Sequence, residues 1–169
     1  MIYKEELHND FIDYLLRIFE NENKRLDVIE SKISQLIAQS GIIISIISFI
    51  IPFMYDKLSN ENCLFKVAIV LLFFTTLLLF GISIHNASKV YKVSDFKYMD
   101  CSPETVDEKF DSENDFKNEY INDLKNSIKN NKKTNNKKAS KLITANLYFK
   151  LGVYSLILLS LILVINFLL

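Results

Sequence analysis

Three stretches of this chain carry no charged side chain: residues 33–55, 67–88 and 151–169. An α-helix rises about 1.5 Å per residue, so about 20 residues cross a hydrocarbon core of roughly 30 Å. Each stretch is near or above that length. Half of the 169 residues are hydrophobic, and a soluble domain would spread them at core spacing. Here they are piled into blocks, and too little polar chain remains to wrap three apolar helices on all sides. The expected fold is an all-α membrane protein with three transmembrane helices.

The charges divide the chain further. Residues 1–35 read as a cytoplasmic, amphipathic, coiled-coil-like helix continuous with the first span, at 36–55. An external loop at 56–66, a second span at 67–85, a cytoplasmic helical insert at 86–149 and a third span at 150–169 follow. Lys4, Arg17, Lys24, Arg25 and Lys32 precede the first span, and the segment from His85 through Lys150 carries thirteen lysines, Lys150 included. The 56–66 loop has only Lys57 and Lys66. Lysine and arginine accumulate on the cytoplasmic side of inner-membrane proteins. The N-terminus is therefore expected inside and the C-terminus outside. The polar first 30 residues do not read as a secretory leader.

Ile12, Leu15, Phe19, Glu22, Leu26, Ile29, Ile33 and Leu36 fall at alternating spacings of three and four. This is a heptad stripe with Glu22 as its one polar member. One reading packs it on the protein's own central segment, and the other pairs it with copies of itself. Ala38, Gly41, Ser45, Ser48 and Pro52 carry a similar spacing into the first span. Small residues let helices approach closely in lipid, so Gly41, Ser45 and Ser48 are candidates for membrane packing or a pore lining. Pro52 has no N–H to donate and is expected to kink or end the helix.

In the insert, Ser102 before Pro103 and then Ser112 are candidate helix N-caps. Phe116, Tyr120, Leu124 and Ile128 follow on one helical face. The run "NNKKTNNKKASK" comes next. Its first reading is a solvated helix surface or turn. Its second is an anionic lipid or ligand contact through Lys132, Lys133, Lys137, Lys138 and Lys141, because juxtamembrane lysines attract negative charge. Apolar helical spacing resumes with Leu142, Ala145 and Phe149.

Enzyme chemistry finds little support. No catalytic group, cofactor site or metal site emerges from two distant histidines, three glycines and two cysteines that flank the second span. Equal numbers of acidic and basic residues argue against direct nucleic-acid binding. Membrane lipids and further copies of the chain are the expected partners.

The layout resembles small prokaryotic three-span membrane proteins of antiphage defence, notably the transmembrane effectors of Pycsar-type systems. A polar helix leads through "RLDVIESKISQLIAQSGIII" into the first span, with Lys32 and Ser34 as a Lys–small pair. The stretch "NNKKASKLITANLYFKLGVYSLILL" leads into the last, with Lys138 and Ala139 and then Phe149 and Gly152 as an aromatic–Gly pair. The resemblance implies an inner-membrane effector that oligomerises and disrupts the membrane when triggered by a soluble partner protein or a small nucleotide signal. Ile12, Leu15, Phe19, Leu26, Ile29, Ile33 and Leu36 would then form the assembly seam. The insert departs from the pattern, and no ligand residues carry over. A second reading is a non-pore membrane subunit that docks a soluble partner through its cytoplasmic helices. A holin-like lysis protein is a third, disfavoured by the mass of the cytoplasmic parts.

Overall fold

Every described helix is long. The computed structural model describes residues 2–58, 62–91 and 113–168, with side chains described within 9–50, 62–91 and 115–166. Helix α1 runs Ile2–Leu58, α2 runs Cys63–Tyr91 and α3 runs Glu113–Leu168. Both N-cap candidates, Ser102 and Ser112, lie outside the described residues. Each of the three helices is long and apolar enough to cross a membrane, which marks the chain as a multi-pass membrane protein.

Two features explain the unbroken helices. No proline or glycine occurs between Met1 and Ser40, and the three glycines of the whole chain are isolated from one another. Pro52 does not end α1, which continues to Leu58. A proline costs a membrane helix less than a soluble one, because neighbouring groups re-satisfy the freed carbonyl. The Asn- and Lys-rich run at 130–138 lies entirely within α3, so it is a helix surface and not a turn. The connection between the first two helices is short: α1 reaches Leu58 and α2 starts at Cys63.

The chain forms two compact units, one from Met1–Glu30 with Val93–Ala139 and one from Ser31–Lys92 with Ser140–Leu169. In the first, α1 and α3 run parallel, and contacts advance together along both. Leu15, Phe19, Ile121 and Leu124 are buried against each other, flanked by Ile12, Leu16, Tyr120 and Ile128. The Lys125 ammonium lies 5.1 Å above the Phe11 ring at its edge.

In the second unit, α2 runs antiparallel to both α1 and α3. Its buried face is Ile69, Thr76, Phe80, Ser83, Ala87 and Val90. The spacing repeats every seven residues, again a heptad seam. Ile33, Leu36, Ser40 and Ile47 of α1 and Ala145 and Leu159 of α3 are buried in the same unit. Phe80 meets Phe149 edge to face at 5.6 Å and sits over Gly152. A Cβ on Gly152 would lie 3.1 Å from the ring.

Candidate functional site

The heptad stripe of α1 is filled from within the chain. Leu15, Phe19, Leu26, Ile29, Ile33 and Leu36 are all buried in the single polypeptide, and Ile12 is half-buried. These side chains are therefore occupied before any second copy arrives.

Glu22 resolves its place in that stripe through α3. Its carboxylate accepts a hydrogen bond from Asn135 Nδ2 at 2.8 Å, and the same amide donates to the Glu22 carbonyl at 2.9 Å. Arg25 lies 3.5 Å from the Glu22 carboxylate and donates to Asn136 Oδ1 at 2.8 Å. The partner of Glu22 on α3 is thus an asparagine. Asn131, Thr134, Asn135 and Lys138 are buried, and Lys138 Nζ reaches Glu30 at 2.7 Å.

This polar layer was hidden in the sequence by its composition. Ile121, Leu124, Ile128, Asn131, Asn135, Lys138, Leu142, Ala145 and Phe149 form one line at spacings of three and four. The spacing never breaks; only the residue type changes. A polar layer inside a heptad seam selects one register at some cost in stability. Asn135→Ala is expected to lower the thermal stability of the detergent-solubilised protein by about 1–2 kcal/mol, because Glu22 loses its cross-helix donor. Replacing Glu22 and Asn135 together by Leu should recover most of that loss, as read by circular dichroism melting.

The lysine patch divides. Lys132, Lys133 and Lys137 are exposed and Lys141 is half-buried, its Nζ 3.4 Å from the Lys89 carbonyl. Lys138 leaves the set of candidate anion contacts: its charge is buried and paired with Glu30.

The small-residue stripe is not the continuation of the buried seam. After Leu36 the buried line runs through Ser40 and Ile47, at the next heptad positions. Ala38, Ser45 and Ser48 are exposed and Gly41 is half-buried, so they form a separate face. Ser45 and Ser48 donate to the carbonyls of Gly41 and Ile44, at 3.0 and 2.8 Å. Thr75 and Thr76 of α2 also back-bond, to Leu71 and Leu72 at 2.7 and 2.8 Å. Thr76 additionally meets the Ser155 hydroxyl of α3 at 2.7 Å. No family model, curated protein or solved structure matches this chain.

Proposed function

We propose that this protein is an inner-membrane effector of a prokaryotic antiphage defence system. Copies associate in the membrane and breach its barrier when a cytoplasmic signal or partner acts on the helices outside it. The observation that carries the reading is the Gly41, Ser45 and Ser48 face of the first span. Among the described residues, Ser45 and Ser48 are exposed and nothing lies within 4 Å of where a Gly41 Cβ would be, and the face is lined by hydroxyls in a segment without a single charge. Small residues and hydroxyls are what helix association in lipid uses, since lipid offers no hydrophobic drive. The α1 seam is buried internally, so it is released from the role of assembly surface, and the membrane face takes that role. The lysine distribution supports a cytoplasmic N-terminus.

Inducible expression with a potential-sensitive dye tests this. Depolarisation is expected on triggering by phage infection, and a bulky Ser45→Phe change should abolish it while leaving the protein in the membrane fraction. Retained potential under infection, with normal levels of the protein, would overturn the reading.

One observation favours a docking role instead. Lys129, Lys132, Lys133 and Lys137 are exposed along α3, a row suited to an acidic partner. Recovery of one stoichiometric soluble protein with the wild type, lost when these lysines are changed to Glu, would support that role.

A further inference from the structure

The third helix carries a lysine at a depth where neither neighbour carries a charge. Four contacts set the register of α3 on α2. Lys141 Nζ lies 3.4 Å from the Lys89 carbonyl, and Ser83 donates to the Ala145 carbonyl at 2.9 Å. Phe149 meets Phe80 at 5.6 Å, and Ser155 meets Thr76 at 2.7 Å. Ser34 of α1 meets the Tyr91 hydroxyl at 2.6 Å and joins the same ladder. Lys32, Lys89 and Lys141 therefore stand near one level, at one border of the spans. Lys150 lies nine residues further along α3, about 14 Å into a hydrocarbon layer whose half-thickness is about 15 Å. It is level with Phe80 and, within about one turn, with Ser45. Both of those residues sit inside charge-free runs.

The Lys150 side chain is exposed. Asn146 and Tyr154, four residues to either side, are exposed as well and share its face. Ionisable residues within spans face a protein neighbour or a water-filled cavity, because hydrocarbon solvates them poorly. The lysine stem leans toward the Lys141 level, which shortens the distance to the headgroups without closing it.

We infer that Asn146, Lys150 and Tyr154 of one copy dock on Gly41, Ser45 and Ser48 of the next. Copies inserted in the same orientation can pair only surfaces of equal depth, and these two match within about one turn. Their hydrogen-bonding chemistry is complementary. The ammonium has three donors and no acceptor. Ser45 and Ser48 spend their protons on their own helix, so their oxygens face outward as acceptors. Among the described residues nothing lies within 4 Å of where a Gly41 Cβ would be, which leaves the α1 backbone open to close approach. Two different surfaces make the contact head to tail, and such contacts close into rings when the rotation permits. The inference rests on the self-assembly proposed above and names its two complementary faces.

Cysteine cross-linking in native membranes tests it, in a background with Cys63 and Cys101 replaced by Ser. Ser45→Cys combined with Lys150→Cys should give a ladder of dimers, trimers and larger species under mild oxidation, with neither single change giving more than traces. Lys150→Leu, at an exposed position, should leave the fold intact and weaken association about tenfold, the effect of one lost interhelical hydrogen bond in lipid. Lys150→Arg should restore it. Cross-linking by Ser45→Cys alone, stopping at dimers, would overturn the head-to-tail contact and leave self-assembly standing. A lone monomer for every variant, with Lys150→Leu indistinguishable from wild type in mild detergent, would overturn both.

Discussion

Replacing Leu124 with Asp is expected to unfold the packed pair of α1 and α3 in the unit they share outside the charge-free runs. Leu124 is 0% exposed and lies among Leu15, Phe19 and Ile121. A carboxylate there has no cation to meet in that cluster. Burying it unpaired, together with the lost apolar contacts, costs about 4 kcal/mol or more, which is most of what a small helical unit has. The contrast is Val28→Asp on α1. Val28 is an apolar residue at 52% exposure, and its change should move stability by less than about 0.5 kcal/mol. Limited proteolysis of the membrane-embedded protein separates the outcomes. Rapid cleavage between residues 1 and 30 or 113 and 139 is expected for Leu124→Asp, and a wild-type pattern for Val28→Asp. Equal resistance in the two variants would mean that the α1–α3 seam does not hold this unit together.

The same burial changes how assembly must be tested. Leu26 and Ile33 look like natural targets, because a self-pairing stripe and a self-packing stripe have the same spacing in sequence. Both are buried inside the single chain. Aspartate at either position damages the protomer first, so loss of activity would say nothing about oligomers. Ser45 and Lys150 are exposed, so changes there leave the packing of the single chain intact and can report on contacts between copies.

Three spans were legible because a charge-free run of membrane length has few other uses. The α1 stripe was legible because its period survives in seven apolar side chains. Its partner was not, although α3 keeps the same period, because Asn131, Asn135 and Lys138 look like solvent-facing residues until a second helix supplies Glu22 and Glu30. Hydrophobic patterning reads side-chain type, whereas burial here follows position and satisfied hydrogen bonds. The continuation of the first stripe into the membrane is illegible for the opposite reason. In lipid, large and small residues are equally compatible with the solvent, so residue size alone does not separate the Ser40 and Ile47 line from the Gly41, Ser45 and Ser48 line. Lys150 was assigned to the border of the third span because the apolar run starts after it. Only the pairing of Phe149 with Phe80 and of Ser155 with Thr76 sets it level with the middle of the charge-free run of α2.

Gly152→Leu is expected to push α3 away from α2 where the Phe80 ring packs on Gly152. Three atoms of the Phe80 ring lie 3.1–3.2 Å from the position a Gly152 Cβ would take. A single methyl there already demands that the ring yield by a few tenths of an ångström. Phe80 is 0% exposed and is held edge to face by Phe149, so it has little room to turn. Gly152→Ala should cost about 1 kcal/mol, and Gly152→Leu about 3 kcal/mol, in the range of overpacking strain. The larger change also pulls Thr76 from Ser155, a hydrogen bond of 2.7 Å one turn away. No hydrophobic transfer term offsets this, because a leucine forced out of the contact is as comfortable in lipid as within it. Phe80→Ala combined with Gly152→Leu should therefore recover much of the stability, the new side chain filling the space of the ring. Thermal unfolding in a mild detergent reads all four proteins. If Gly152→Leu melted with the wild type, the packing of the Phe80 ring on Gly152 would be wrong, and with it the register that sets Lys150 level with Phe80.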